Sequence, residues 1–227
     1  HLKDLTKKKS LDQFKNIDYV IHLASMTNAA SSFKRKKEMY KNNIDCMKNI
    51  IDFCIKNKSK LIHISSTSVY GKQTDKVDEN CEKKYLKPKS PYAKIKLIEE
   101  NLLKKETKNI KYNSFRFGTI AGISKGMRFH TAVNKFCWQA VMGQEISVWE
   151  TAFEQSRPYL DLYDASRSFG HIINNNIFNN ETYNVLTQNA TVKDVTIAIE
   201  KIIPDLKISF VKNKIMNQLS YKVLSRK

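Results

Sequence analysis

Three side chains in the first half of the sequence have the types and spacing needed for proton transfer at a hydroxyl group. Tyr92 and Lys96 are four residues apart in a helical pattern that opens with Pro91, so both leave one face of that helix. A nearby ammonium favours the phenolate, and we therefore expect Lys96 to lower the pKa of Tyr92 from about 10. A serine hydroxyl from the end of the apolar run over 60–64 could bind the same substrate oxygen.

The sequence around these residues carries a family resemblance. Residues 65–71 read Ser-Ser-Thr-Ser-Val-Tyr-Gly, and residues 90–96 read Ser-Pro-Tyr-Ala-Lys-Ile-Lys. This combination resembles the extended short-chain dehydrogenase/reductase family, in its NAD-dependent sugar-nucleotide epimerase/dehydratase branch. The resemblance implies that Tyr92 takes a proton from a sugar hydroxyl, that Lys96 holds the nicotinamide ribose, and that Ser66 binds the reacting oxygen.

Alternating strand and helix patterns predict an α/β fold with a doubly wound parallel sheet. Strands are predicted at 18–25, 60–64 and 112–120, with helices over 31–56 and 91–108. The resemblance implies a Rossmann-like sheet that lacks its first βαβ elements, with a smaller α/β substrate domain. The implied division is a partial NAD(P)-binding domain at 1–122, rejoined by 157–175 and 182–186, and a substrate-binding region at 123–156 and 187–227.

Two helix starts are predicted from capping residues. Asp164 is expected to cap a helix over 165–173. Thr191 and Asp194 resemble a capping box, with Asp in place of the usual Glu, at the start of a helix that extends to Ile203.

The resemblance implies a set of cofactor contacts. They are Asp4, Leu5, Leu23, Ala24, Ser25, Asn43, Tyr92, Lys96 and Phe117. Two of these have structural alternatives: Asp4 as a turn cap and Asn43 as a helix-surface residue. His22 and His63 are predicted to be core histidines of strands rather than ligands, and no metal site is expected.

The resemblance also implies contacts to a nucleotide-diphosphate sugar. The candidates are Thr67, Thr119, Asn134 and Arg157. Arg157 is the candidate for the diphosphate, because the donors of a guanidinium group can bind two phosphate oxygens at once.

Composition narrows the class of protein. The chain of 227 residues has 40 Lys and Arg against 22 Asp and Glu, a formal charge of +18. The lysines are scattered along the chain, which favours a broad compositional bias toward lysine over a nucleic-acid-binding site. Four cysteines without metal-binding spacing indicate a reducing cytoplasm, and no apolar run reaches the length of a membrane span.

Glycine is missing from the first part of the sequence. No glycine precedes Gly71, so the Gly-x-x-Gly-x-x-Gly turn that binds pyrophosphate in the family is not among these residues. We therefore expect a fragment lacking about 55 to 60 N-terminal residues of the Rossmann unit and some C-terminal ones. Such a fragment should bind NAD poorly and be inactive alone; NAD is the expected cofactor, and NADP is possible.

The predicted reaction is epimerisation of a nucleotide-diphosphate sugar by transient hydride transfer. A sugar-nucleotide reductase and a dehydratase stay open as alternatives, although Thr67-Ser68 stands where family dehydratases carry Asp-Glu. A noncatalytic protein that binds NAD or nucleic acid is the alternative of another class. By resemblance, the helices over 31–56 and 91–108 would form a homodimer interface.

Overall fold

The computed structural model describes residues 3–29, 31–73, 76–212 and 220–227. The α-helices of these residues are α1 (Lys36–Asn57), α2 (Pro91–Lys105), α3 (Ala132–Val141), α4 (Leu162–Asn174) and α5 (Val192–Glu200). The strands are β1 (Tyr19–His22), β2 (Lys60–Ser66), β3 (Lys76–Val77), β4 (Tyr112–Phe117), β5 (Thr119–Ala121), β6 (Ile146–Trp149), β7 (Ser156–Asp161), β8 (Thr182–Val185), β9 (Gln188–Thr191), β10 (Ile208–Val211) and β11 (Lys222–Val223). Short 3-10 helices lie at Ser31–Phe33, Thr67–Tyr70, Lys83–Tyr85 and Glu150–Ala152.

A parallel sheet of four strands, in the order β1-β2-β4-β8, forms the centre of the fold. Neighbouring residues of β2 point to opposite faces of this sheet, as strand geometry requires. Leu61 packs with α1 and α2 on one face, whereas Ile62 packs with α4 on the other. Helices on both faces of a parallel sheet confirm the predicted doubly wound α/β fold.

The start of α2 follows from its local sequence. Ser90 caps the helix, because its hydroxyl oxygen accepts a hydrogen bond from the Ala93 amide at 3.1 Å. Pro91 occupies the first helical position, where its missing N–H has no partner to lose. These two residues fix where the helix begins, and therefore where Tyr92 and Lys96 are held.

The remaining described strands form smaller sheets. One has the order β5-β7-β9, and two further pairs are β6 with β10 and β3 with β11. The predicted continuous strand 112–120 is wrong at Gly118, whose amide donates to the Val185 carbonyl at 2.9 Å. Beyond Gly118 the chain leaves the central sheet and pairs with β7 instead, so two strands replace one. The proposed domain boundaries stay a prediction.

The two capping predictions have different outcomes. The capping box of Thr191 and Asp194 is confirmed, with both reciprocal hydrogen bonds formed at the start of α5. The prediction that Asp164 caps α4 is wrong: Asp161 does so, accepting from the Tyr163 amide at 2.7 Å. Because α4 follows β7 without a loop, it begins a turn earlier than predicted, and Asp164 accepts from the Thr187 hydroxyl instead.

The described C-terminal residues are fixed against the rest of the fold. The Tyr221 amide donates to the Ser156 carbonyl at 3.0 Å, and β11 pairs with β3. Tyr221 packs with Tyr70 and Val223 in a small buried cluster. Among the helices described, none combines the length and the apolar character that crossing a membrane would require.

Candidate active site

The structure brings Ser66, Tyr92 and Lys96 together at the carboxyl end of β2. Ser66 is the last residue of β2, and its hydroxyl oxygen accepts from the Ser68 amide at 3.2 Å, capping the 3-10 helix that follows. Tyr92 and Lys96 lie in the first two turns of α2, with the Lys96 Nζ 5.9 Å from the centre of the Tyr92 ring. Ligands of open α/β sheets bind at this end of the strands.

The pKa of the Tyr92 phenol in the structure differs from the one predicted from the sequence. Burial raises the pKa, and although Lys96 and Ser66 both act to lower it, burial outweighs them. The predicted net lowering is therefore wrong for this structure, although Lys96 acts in the predicted direction.

A buried carboxylate, Glu99, explains part of this result. Its Oε2 lies 2.8 Å from the Lys96 Nζ and 2.9 Å from the His63 Nε2, and these side chains are at most 4% exposed. Burial acts to raise the pKa of Glu99, but Lys96 and His63 outweigh it and lower the pKa to about 2. Glu99 was not predicted as a site residue; the i,i+3 spacing from Lys96 was the available sequence signal.

A second buried ion pair lies one residue further along α2. Glu100 accepts two hydrogen bonds from Arg116 of β4, from Nε at 2.9 Å and from Nη2 at 2.7 Å. The Ser65 hydroxyl donates to the same carboxylate at 2.6 Å, and the guanidinium lies 4.9 Å from the centre of the Tyr70 ring. This pair ties α2 to the two central strands behind the catalytic candidates.

The loop after β1 contains three of the predicted cofactor contacts. Leu23 is 60% exposed, Ala24 is exposed and Ser25 is half-buried, so their surfaces are open to a ligand. Asn43 of α1 holds Met26, the residue after Ser25. The Asn43 Oδ1 accepts from the Met26 amide at 2.9 Å, and its Nδ2 donates to the Met26 carbonyl at 3.1 Å. Asn43 is 1% exposed, so the alternative of a helix-surface residue is wrong.

The other predicted cofactor contacts have structural partners of their own. The Asp4 carboxylate accepts from the amide and the hydroxyl of Thr6 at 3.0 and 2.7 Å, which is a turn cap. The Leu5 carbonyl accepts from the Asn49 side chain at 2.8 Å. Phe117 lies at the carboxyl end of β4, and its ring packs in the core between the sheet and α4. Their cofactor roles stay predictions.

The substrate candidates lie in the 3-10 helix after β2 and on β5, α3 and β7. Thr67 is buried, and its hydroxyl donates to the Phe117 carbonyl at 3.2 Å. Thr119 begins β5, opposite Tyr159 of β7. The Asn134 amide is committed on both sides, accepting from the Gly122 amide at 3.1 Å and donating to the Arg128 carbonyl at 3.2 Å.

Arg157, the last substrate candidate, lies half-buried on β7. Its Nη2 is 3.5 Å from the side-chain oxygen of Gln155, a neutral partner. The guanidinium also acts to lower the pKa of Tyr221, although burial raises it overall.

The arrangement suits the nicotinamide-ribose end of a dinucleotide. The exposed Leu23 and Ala24 offer apolar surface at the carboxyl end of β1, and Lys96 has further N–H donors beyond the one bonded to Glu99. No glycine precedes Gly71, so these residues fit that end of the cofactor and not its pyrophosphate.

Comparisons with known proteins agree on one family. The family model described as the NAD dependent epimerase/dehydratase family matches residues 1–185. A UDP-N-acetyl-alpha-D-glucosaminuronate decarboxylase of Bacillus cytotoxicus is 28% identical over 153 residues, covering 65% of this chain and 47% of that protein. A UDP-glucose 4-epimerase of Schizosaccharomyces pombe is 34% identical over 118 residues, covering 48% of this chain and 32% of that protein.

Solved structures share the fold. A UDP-glucose 4-epimerase of Thermus thermophilus, solved as a complex with NAD, superposes with a TM-score of 0.82 at 20% sequence identity. The match covers 98% of this chain and 74% of that one. By contrast, this chain spans about half or less of the length of the two curated relatives above.

Proposed function

The chain belongs to the NAD dependent epimerase/dehydratase family, and from this premise we propose that the protein epimerises a nucleotide-diphosphate sugar with NAD as its cofactor. One observation carries the proposal: Tyr92 and Lys96 lie together on α2, beside Ser66 at the carboxyl end of β2. A phenol, an ammonium and a hydroxyl at one point can remove a proton from a sugar hydroxyl and bind the oxygen left behind.

In the proposed mechanism each of the three residues has one task. Tyr92 takes the proton from a sugar hydroxyl as the base and later returns it. Ser66 donates a hydrogen bond to the reacting oxygen, and Lys96 favours the Tyr92 phenolate and binds the nicotinamide ribose through its free donors. NAD, when bound, supplies the acceptor and donor for the hydride. Holding substrate and cofactor in place together does much of the catalytic work.

Arg157 is our candidate for binding the diphosphate of the substrate. Its guanidinium is half-buried and has a neutral partner, Gln155, at 3.5 Å. Asn134 has a structural role in this proposal, because the oxygen and the nitrogen of its side-chain amide already form hydrogen bonds with the loop between β5 and α3. We therefore expect Asn134 to shape the substrate side of the site and Arg157 to contact the substrate.

A reductase is the second candidate function within the enzyme class, since the same three residues serve that reaction and NADP is its common cofactor. A dehydratase is less consistent with the sequence, because Thr67 and Ser68 follow Ser66 where an acid and a carboxylate base are needed. The Thr67 hydroxyl is moreover engaged with the Phe117 carbonyl.

The nucleotide that the protein carries distinguishes these functions. The protein from its complete natural coding sequence is purified without added cofactor and denatured, and the released nucleotide is identified. Retained NAD supports an epimerase, since a cofactor regenerated in each cycle need not leave. Reversible binding of NADPH to an empty site supports a reductase, and no affinity for either overturns the enzyme proposal.

The Tyr92→Phe variant tests the proposed base directly. It removes one hydroxyl group and should reduce turnover of a nucleotide-diphosphate sugar at least a hundredfold. Tyr85→Phe is the matched control, because Tyr85 is 48% exposed and lies at the end of the 3-10 helix Lys83–Tyr85, before α2. Equal turnover of the two variants would contradict the role of Tyr92.

A homodimer is a further part of the proposal. The helices α1 and α2 pack side by side on one face of the sheet, and Tyr40 of α1 remains 47% exposed. A pair of such helices from each subunit could form a four-helix interface. Light scattering of the complete protein should give twice the mass of one chain, and replacing Tyr40 with Glu should shift that mass toward the monomer.

A further inference from the structure

The proposed catalytic lysine has a buried partner that the proposed mechanism does not use. The Lys96 Nζ donates a hydrogen bond to the Glu99 Oε2 at 2.8 Å, one helical turn away on α2. The two side chains are 4% and 1% exposed, so water screens the interaction little.

Glu99 is itself held from the central sheet. The His63 Nε2 of β2 lies 2.9 Å from the same Oε2, and the His63 Nδ1 lies 3.1 Å from the Ser114 hydroxyl of β4. A carboxylate only accepts hydrogen bonds, so the His63 Nε2 must donate to Glu99, and the Ser114 hydroxyl holds the other ring nitrogen. This chain of contacts, Lys96 to Glu99 to His63 to Ser114, fixes the carboxylate in place.

We propose that Glu99, held by His63, is a positioning residue that engages the Lys96 ammonium and so limits how strongly Lys96 can stabilise the Tyr92 phenolate. The proposal rests on the proposed function in taking Tyr92 as the base. Glu99 does not touch the substrate in this scheme; it acts through Lys96. It would set the pH at which Tyr92 becomes deprotonated, and with it the pH range in which the enzyme works.

Other groups face this cluster from the elements packed around it. They are His22 on β1, Cys46 on α1, Glu100 on α2, Arg128 before α3 and Tyr221 near the C-terminus. None of the five can replace Glu99. Burial lowers the pKa of His22 to about 4 and raises that of Cys46 to about 11, so both are neutral near pH 7. The Glu100 carboxylate is paired with Arg116, and Arg128 acts on Tyr92 in the same direction as Lys96. Burial raises the pKa of Tyr221, so its phenol is neutral near pH 7 as well.

The direction of the effect follows from the charges. Burial raises the pKa of Tyr92; Lys96 lowers it, and the Glu99 carboxylate raises it further. Removing the charge of Glu99 therefore takes away one cause of the high pKa and frees Lys96 to act on the phenolate. The carboxylate and the phenolate carry like charges, so removing the carboxylate favours the phenolate, and we expect Tyr92 to titrate about one pH unit lower, a tenfold change in proton affinity.

The test is a titration of Tyr92 by NMR in protein labelled with [13Cζ]tyrosine, with the Tyr92 signal assigned from Tyr92→Phe. Glu99→Gln removes the charge but keeps an oxygen that accepts from Lys96. Glu99→Asp keeps the charge and shortens the side chain. We expect the Tyr92 pKa to fall by about one unit in Glu99→Gln and to stay near the unsubstituted protein in Glu99→Asp. An unchanged pKa in Glu99→Gln, or equal shifts in both variants, would overturn the proposal.

A second measurement needs no variant and covers the case in which Glu99→Gln does not fold. In protein labelled with [13Cε]lysine, Lys96 should titrate above its ordinary pKa, because Glu99 outweighs burial, which acts to lower it. A Lys96 pKa below the ordinary value would show that Glu99 does not hold the ammonium, and would overturn the proposal.

Neither titration requires turnover, so each distinguishes this inference from the proposed function. If the Tyr92 pKa does not fall in Glu99→Gln, the role of Glu99 is refuted and the enzyme proposal stays intact. Full activity of Tyr92→Phe would refute the role of Tyr92 as the base and leave the titration result unaffected. In an active enzyme, the acidic limb of the kcat/KM profile should move down by the same one unit in Glu99→Gln, because the base works in its deprotonated form.

Discussion

The buried pair of Glu100 and Arg116 should be the most sensitive polar contact of the fold. The two side chains are 1% and 4% exposed and share two hydrogen bonds, at 2.9 and 2.7 Å. Burial acts to raise the pKa of Glu100, yet the hydrogen bonds and charge of Arg116 lower it, so the carboxylate is ionised. Replacing Glu100 with Gln would leave the Arg116 charge buried without a counter-charge.

The expected cost follows from that uncompensated charge. Removing one partner of a buried ion pair destabilises a protein by about 3–5 kcal/mol. With a urea m-value of about 3 kcal/mol/M, the unfolding midpoint of Glu100→Gln should fall by about 1–2 M. Replacing both Glu100 and Arg116 with Met removes both charges and should recover most of this loss, because apolar pairs in such positions are often as stable as ion pairs.

An exposed pair with the same geometry provides the control. Arg35 and Glu38 share two hydrogen bonds, at 2.7 and 2.5 Å, but their side chains are 54% and 56% exposed. Glu38→Gln should leave the urea midpoint nearly unchanged, since water screens exposed pairs. Equal midpoints for Glu100→Gln and Glu38→Gln would refute the argument that burial makes the Glu100 pair critical.

Three further predictions concern the stability of the fold, each measured by urea unfolding. Gly71 and Gly143 both have φ +66, but a Cβ added at Gly71 would lie 1.9 Å from the Lys87 carbonyl oxygen, whereas one added at Gly143 meets nothing within 4 Å. Gly71→Ala should therefore lower the unfolding midpoint more than Gly143→Ala, and equal losses in the two variants would contradict this. Leu103→Ala, at a fully buried site between α1 and the sheet, should cost about 2–5 kcal/mol; an unchanged midpoint would contradict the packing described. Burial acts to raise the pKa of Glu99, but Lys96 and His63 lower it from 4.5 to about 2. The stabilisation of the fold by ionised Glu99 is therefore fully present above pH 4.5 and is lost as the pH falls toward 2. Between those two pH values, Glu99→Gln should lose less stability than the unsubstituted protein does.

Local sequence predicted α2 and the positions of Tyr92 and Lys96 on it, whereas the family resemblance selected Ser66. Pro91 and Ser90 mark the start of α2 through groups within three residues of one another, so the positions of Tyr92 and Lys96 on one face could be read directly. The apolar run predicts a strand over 60–64, and β2 continues for two residues beyond it, to Ser66. The box of Thr191 and Asp194 was predictable, because helix caps are short-range contacts.

Positions that depend on neighbouring strands were harder to predict. The strand 112–120 splits at Gly118 because β8, some 65 residues away in the chain, accepts the Gly118 hydrogen bond. Likewise, the cap of α4 falls on Asp161 and not on Asp164, because pairing with β5 and β9 sets where β7 ends. The local pattern was compatible with a strand that continues through Gly118 and with a cap at Asp164. Contacts with strands distant in the sequence exclude both.

The net pKa shift of the proposed base was decided by the tertiary structure. From the sequence, Tyr92 and Lys96 predict a lowered phenol pKa, because an isolated pair of this kind has no other influence on it. In the folded protein Tyr92 is partly buried, and Glu99, which also contacts His63, forms an ion pair with Lys96. His63 is 36 residues from Glu99, and only the packing of α2 on β2 brings the two together. Spacing along one helix determined that Tyr92, Lys96 and Glu99 lie close together; burial of that helix against the sheet determined that the Tyr92 pKa is raised.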